Sequence, residues 1–311
     1  MTGPAPLFPQ ADGPDDGVAT WLTCADGVRI RVAVWGQDAP KGTVLLFPGR
    51  TEYVEKYGRA ARDLLARGYA TVAIDWRGQG IAARLQPNPA LGHVVEFKDY
   101  QLDVAAVMAF VQASSLPTPL YLLAHSMGGC IGLRSLYEGL PVQAVCFTAP
   151  MLGIKLAPPL RPVAWALSTI SKPLGFSNSI SPGQTETTYV LRSGFDENDL
   201  TTDRGMFDYM QAQCQAHPEL ALGGPSLAWL NAALRETRAL SLRPAPATPC
   251  LTFLGSAENI VDVPRIKARM ESWSNGRMVM VPGAKHELLM ETPATRKLAF
   301  DGMAGFFGEY R

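Results

Sequence analysis

Residues 120–132 read Leu120-Tyr121-Leu122-Leu123-Ala124-His125-Ser126-Met127-Gly128-Gly129-Cys130-Ile131-Gly132. Leu120–Ala124 is a short apolar run without polar alternation, the pattern of a strand buried on both faces of a parallel sheet. Small residues and a helical stretch follow at once, so the segment predicts strand, sharp turn and helix with Ser126 at the turn. That is the context required of a nucleophile elbow. The turn is so tight that residues two positions either side of the serine must be small. Gly128 satisfies this, and Ala124 stands where glycine is more usual without adding much bulk. The start of the following helix also favours negative charge developing near the serine.

Working outward, Thr43–Phe47, Ala70–Ile74, Val142–Thr148 and Cys250–Leu254 repeat the buried-strand pattern. Helical periodicity lies between them: Val54–Arg67 aligns Val54, Tyr57, Ala61 and Leu64, and Asp99–Ala113 aligns Tyr100, Val104, Val107 and Val111. Val18–Cys24 and Val28–Trp35 alternate apolar with polar around Asp26-Gly27, a hairpin signal. An antiparallel start followed by strand–helix alternation predicts an α/β fold, a mostly parallel sheet flanked by helices. Residues 18–150 and 243–311 carry that rhythm. Residues 151–242 break it with Pro158-Pro159, Pro162, Pro173 and Gly223-Gly224, and are expected to form an inserted helical module. Its aromatics and methionines, Phe207, Met210 and Trp229 among them, are expected mostly to form that module's own small core. Residues 1–17, rich in Pro, Gly and Asp, predict a flexible N-terminal arm.

The 311 residues carry 28 Lys plus Arg against 28 Asp plus Glu, which removes the usual electrostatic reason to expect nucleic-acid binding. With 47% hydrophobic and 18% charged residues the chain can bury a large core. Its five cysteines are scattered without a C-x-x-C pair, which disfavours a disulfide framework and a zinc site and favours a reducing compartment. No secretory signal or membrane-spanning run is evident, so the expected location is the cytoplasm.

A nucleophilic serine needs a base, and the chain has four histidines. His125 adjoins Ser126 and would point away from the attack side; His217 falls in the insert, and His93 reads as structural. His286 follows the apolar strand Met278–Val281 and the turn Pro282-Gly283-Ala284-Lys285, where the base belongs when the chain order is serine, acid, histidine. The acid should lie after Cys250–Gly255, where Glu258 and Asp262 compete. Asp262 precedes Pro264 by two residues, a helix-capping location, and Glu258 is nearer the strand end, so Glu258 is favoured and Asp262 stays as the alternative. An oxyanion site needs two backbone N–H donors. Met127 is one candidate, and Arg50, after the sharp Pro48-Gly49 turn, is the other. The Arg50 side chain could also meet a phosphate or acyl-ester oxygen.

These segments resemble those of α/β-hydrolases of the serine lysophospholipase and monoacylglycerol lipase group. The matching pieces are Pro48–Tyr53, Asp75–Gly80, Gly92-His93, the elbow, Gly255–Glu258 and Gly283–Glu287, which cover the core and leave the insert unmatched. The resemblance implies an eight-stranded sheet, a cap at 151–242 under which acyl chains bind, and hydrolysis of a carboxylic ester without cofactor or metal. Pro48-Gly49 replaces the His-Gly of many relatives, Ala124 replaces the first elbow glycine, and Glu258 stands at the family's aspartate. The expected substrate is a lysophospholipid or monoacylglycerol, which carries with it peripheral contact of the cap with the inner membrane face. A small non-lipid ester or lactone is the enzymatic alternative, and a catalytically silent binding protein is the alternative of another class.

Overall fold

The computed structural model describes residues 3–311. In chain order the elements are β1 (Gly3–Ala5), β2 (Val18–Thr23), β3 (Arg29–Trp35), β4 (Thr43–Phe47), α1 (Gly58–Leu65), β5 (Ala70–Asp75), α2 (Tyr100–Ala113), β6 (Leu120–His125), α3 (Met127–Tyr137) and β7 (Val145–Thr148). Helices α4 (Leu160–Ser171), α5 (Tyr189–Arg192), α6 (Arg204–Ala216) and α7 (Leu227–Ser241) follow. The chain closes with β8 (Cys250–Gly255), α8 (Val263–Glu271), β9 (Gly276–Val281) and α9 (Pro293–Gly308).

The strands form one sheet in the order β1-β2-β3-β5-β4-β6-β7-β8-β9. β1, β2, β3 and β5 pair antiparallel in succession, and every pairing from β5 onward is parallel. Successive side chains of a strand point to opposite faces, and the core divides accordingly. Leu45, Leu122 and Ala124 join one apolar layer with residues of α2, α3 and α7. Val44, Leu46, Tyr121 and Leu123 join the other with residues of α1 and α9. Both faces are covered, which is why β4 to β8 read as continuous apolar runs.

Among the described residues the sheet has nine strands rather than eight, because Gly3–Ala5 adds an edge strand to β2. The expected flexible arm thus differs from what residues 3–17 do; residues 1 and 2 lie outside the described residues. Arg31, wholly buried between Glu55 and Asp75, also donates to the Pro6 carbonyl at 2.8 Å, while the Phe8 N–H donates to Glu55. The Phe8 ring stacks on His217 at 3.7 Å, and the Asp16 carboxylate accepts the Gly36 N–H at 2.7 Å. These partners are far away in sequence, so local composition could not reveal them.

The insert also differs from a self-contained module. Met206, Phe207, Tyr209 and Met210 of α6 pack in the layer of α1 and α9, and the Tyr209 hydroxyl lies between the carbonyls of Ala11 and Glu55, 2.7 and 2.8 Å away, with its one proton shared by the two. Trp229, Ala232 and Leu240 of α7 pack in the opposite layer, and Glu236 pairs with Arg134 of α3 at 2.6 Å. The chain therefore returns to the sheet at Gly223-Gly224, where the Gly92 N–H donates to the Gly224 carbonyl, ahead of the compositional boundary at 242.

Candidate active site

Ser126 sits at the carboxyl end of β6 with φ 49° and ψ −117°, a conformation costly for a residue with a side chain. The surroundings hold it there. A Cβ on Gly128 would come 2.1 Å from the Phe47 carbonyl oxygen, and one on Gly129 would come 2.5 Å from Pro150 Cβ. Glycine alone lets α3 start this close to β4. The Ala124 methyl group faces Gly132, where a Cβ would stand at an ordinary contact of 3.4 Å, so alanine fits at this position without a clash.

His286 Nε2 lies 2.9 Å from Ser126 Oγ, and its Nδ1 lies 2.7 Å from Glu258 Oε2. With the proton on Nδ1 donated to the carboxylate, Nε2 is free to accept from the serine hydroxyl. The other oxygen of Glu258 accepts the N–H groups of Ile260 at 2.6 Å and Val261 at 3.1 Å. Burial would raise the Glu258 carboxyl, but His286 and these two backbone donors outweigh it and hold the group below its ordinary range. Of the two acids that the sequence offers, Glu258 reaches the imidazole. Asp262 caps α8 through the Arg265 N–H and pairs with Arg161 at 2.6 Å.

The remaining histidines are engaged elsewhere. His93 Nδ1 meets Ser226 Oγ at 2.9 Å, and His217 Nε2 meets Gln10 Oε1 at 2.9 Å. His125 turns its Nδ1 to Thr148 and its Nε2 toward Glu287 at 3.3 Å, an electrostatic contact rather than an aligned hydrogen bond.

The loop after β4 is anchored on both sides of Arg50. Trp76 Nε1 donates to the Pro48 carbonyl, and Gln79 Nε2 donates to the Gly49 carbonyl. The Gly49 N–H donates to Glu52, and the Thr51 N–H to Gln79 Oε1 at 2.9 Å. The Arg50 N–H has no acceptor among the described residues. Met127 is the first residue of α3, so its N–H lacks an intrahelical acceptor. Gly49 permits the close approach, since a Cβ there would be 3.1 Å from Ser126 Cβ.

Sequence reasoning assigned no role to the charges behind this loop. Glu52 accepts from the Tyr57 hydroxyl and from Lys56 Nζ, both at 2.5 Å, and Lys56 reaches Glu287 at 2.7 Å. Glu52, His125 and Glu287 hold ligand atoms within 4.8 Å of one another, the spacing of a metal site, but the Lys56 ammonium already lies between the carboxylates. Lys56 and His125 hold Glu287 well below the usual carboxylate range against its burial. Desolvation works against charge on His125, yet Glu287 and Glu52 raise it overall. The signal available was adjacency, Glu287 following His286 and Glu52 following the Pro48–Thr51 turn.

Two cavities meet at Ser126. A cavity of about 180 Å³ is walled by Tyr53, Val190, Leu200, Met210 and Cys214 together with His286. The other, about 320 Å³, runs past Met127, Met151, Ile154, Leu156 and Trp229. Residues of the 151–242 segment line both, and Arg50 touches both. The Arg50 guanidinium donates to the Gly223 carbonyl at 2.8 Å and lies 5.6 Å from the Trp229 ring centroid. Burial pushes it down to about 10.

Residues 38–293 match the family model described as serine aminopeptidase, S33. Lysophospholipase L2 of Escherichia coli (strain K12) is 31% identical, covering 93% of this chain and 87% of that protein. Monoglyceride lipase of Mus musculus is 25% identical over 88% of this chain and 84% of its own. A crystal structure of a soluble variant of monoglyceride lipase from Saccharomyces cerevisiae, in complex with a substrate analog, superposes with a TM-score of 0.72 at 20% identity, covering 93% of this chain and 94% of that one. With this family match across the sheet and a relative aligned over nearly the whole chain, the protein belongs to the serine aminopeptidase S33 family of α/β-hydrolases and is a carboxylic-ester hydrolase of lysophospholipase and monoglyceride lipase type.

Proposed function

We propose that the protein hydrolyses the ester of a single-chain glycerolipid, a lysophospholipid or monoacylglycerol, through an acyl-enzyme on Ser126. Ser126 Oγ attacks the carbonyl while His286 Nε2 takes its proton, and Glu258 holds the imidazole tautomer and stabilises its cation. The Arg50 and Met127 N–H groups receive the oxyanion. His286 then protonates the departing glycerol oxygen. A water deprotonated by His286 attacks the acyl-enzyme, releasing the fatty acid and restoring Ser126.

The observation that carries this reading is the hydrogen-bonded chain Ser126–His286–Glu258, set on a strained elbow where two cavities meet. No metal or organic cofactor enters any step. Residues 151–242 serve as the cap whose side chains bound the acyl site. Exposed Leu160, Val163, Ile170 and Leu174 on and just after α4, with Lys155, Arg161 and Lys172 nearby and no acid between 155 and 185, support peripheral contact of that cap with an anionic membrane surface. No helix among the described residues is long and apolar enough to cross a membrane. The five cysteines are all buried and unpaired, which supports a reducing, cytoplasmic setting.

The test is fluorophosphonate labelling of Ser126 combined with an ester chain-length series. Labelling together with a rise in kcat/KM from short to long acyl chains is expected. Folded protein that forms no Ser126 adduct overturns the reading, and a preference for the shortest esters replaces the lipid substrate with a small one.

A further inference from the structure

The Arg50 guanidinium differs from the buried arginines that face carboxylates; like Arg269, whose partners are the carbonyls of Arg243 and Leu240, it meets backbone oxygen alone, but Arg50 does so beside Ser126. Arg31 meets Glu55 and Asp75 at 2.7 and 2.8 Å, Arg77 meets Asp26 and Asp103 at 2.7 and 2.8 Å, and Arg134 meets Glu236 at 2.6 Å. Arg50 has the single carbonyl of Gly223, donated to by Nη1, so its Nε and Nη2 have no protein acceptor and no carboxylate neutralises it among the described residues. A desolvated cation without a counter-ion is costly to maintain, and an anionic ligand would remove that cost.

The cavity of about 320 Å³ is built for such a ligand. No aspartate or glutamate lines it, and Lys155 adds a second cation. Ser181, 5% exposed, stands in its wall with a hydroxyl that has no hydrogen-bond partner. The same cavity touches Ser126 and Met127, so a carbonyl at the nucleophile and an anion at Arg50 share one space. In a monoacyl glycerophospholipid the phosphorus is separated from the ester by only the short glycerol backbone. Trp229, beside the guanidinium, limits its freedom and favours a fixed fork for phosphate oxygens.

We propose that Arg50, with the Ser181 hydroxyl, forms a headgroup subsite that binds the phosphate of a monoacyl glycerophospholipid and favours it over the neutral monoacylglycerol. The assignment rests on the ester-hydrolase reading given above. It divides the loop residue in two: the backbone N–H serves the oxyanion, and the side chain selects the substrate.

The test compares 1-palmitoylglycerol with 1-palmitoylglycero-3-phosphate and 1-palmitoylglycero-3-phosphocholine in one nonionic detergent, for the wild type, Arg50→Met, Arg50→Lys and Ser181→Ala. The quantity read is the ratio of kcat/KM on each phosphate ester to kcat/KM on the neutral one. Arg50→Met should lower it by roughly 10- to 100-fold, the range for losing a charge-assisted contact. Arg50→Lys should restore part of the ratio, and Ser181→Ala should lower it by a few-fold. Inorganic phosphate and glycerol 3-phosphate, added to a p-nitrophenyl butyrate assay, separate a site for free phosphate from one that needs the glycerol ester: stronger inhibition by glycerol 3-phosphate that disappears in Arg50→Met supports the proposal. Equal loss on charged and neutral substrates in Arg50→Met, or tighter binding of inorganic phosphate than of glycerol 3-phosphate, overturns it. If Arg50→Met does not fold, an unchanged ratio in Ser181→Ala and Arg50→Lys overturns it as well. Absence of turnover on every ester by wild type that also fails to label would instead remove the hydrolase reading itself.

Discussion

Glu258 gives one carboxylate oxygen to His286 Nδ1 at 2.7 Å and the other to the backbone of its own turn, the N–H groups of Ile260 and Val261. The turn thereby fixes the extra methylene that glutamate has over aspartate, and the carboxylate is presented to the imidazole without torsional freedom. Asp262, four positions on, cannot substitute for it while it caps α8 and binds Arg161.

Glu258→Gln should therefore lower kcat by about 10³- to 10⁴-fold, because the amide stabilises the wrong imidazole tautomer and no cation. Asp262→Asn should leave kcat within a few-fold and cost roughly 1 kcal/mol of stability through the weakened cap and ion pair. Steady-state kinetics and urea unfolding of both variants check this; a larger kcat loss in Asp262→Asn would reverse the assignment.

Gln79 clamps the loop after β4 through the Gly49 carbonyl and the Thr51 N–H, which makes it a positioning residue for the proposed oxyanion donor, the Arg50 N–H. Gln79→Leu should lower kcat by about 10-fold or more, short of the 10²–10³ seen when an oxyanion donor is lost outright, with KM little altered. The rate of fluorophosphonate labelling should fall in parallel. A rise in KM with kcat unchanged would show that the loop keeps its geometry without the clamp.

Replacing Arg31 by Met strands Glu55 and Asp75 in the core and removes the donor to Pro6. A loss of about 3–5 kcal/mol is expected from breaking such a buried network by one partner. Urea unfolding measures it, and amide exchange of residues 3–11 should accelerate before global unfolding. Retained protection of that segment would mean that the arm is held by its strand pairing alone.

Glu258 and His125, two of the buried titrating groups at the site, predict opposite pH trends. Glu258 lies below its ordinary 4.5, so its contribution to stability is present above that pH and fades as acid approaches its folded value. His125 lies above its ordinary 6.5, so its contribution is present below that pH and is lost as the pH rises through its folded value. The unfolding free-energy gap between wild type and Glu258→Gln should narrow on acidification, and that between wild type and His125→Gln should narrow on alkalinisation. Parallel curves at all pH values would contradict both.

Apolar runs and their helical neighbours sufficed to predict the parallel sheet, because burial on both faces leaves a local mark in every strand. Ser126 was legible for the same reason: the elbow is a contiguous segment whose small residues answer to a local turn. His286 could be found by chain order and by the scarcity of histidine. The choice between Glu258 and Asp262 was not local, since both are acids after the same strand and only the path of the turn brings one of them to the imidazole. The edge strand Gly3–Ala5, the return of α7 to the core, and the Glu52–Lys56–Glu287–His125 cluster rest on partners distant in sequence. The Arg50 side chain shows the division most plainly. The sequence by itself put its N–H in the sharp turn after β4, beside the serine, but only the tertiary structure decided that no carboxylate comes near its guanidinium, because pairing of a desolvated charge is a property of what packs around it.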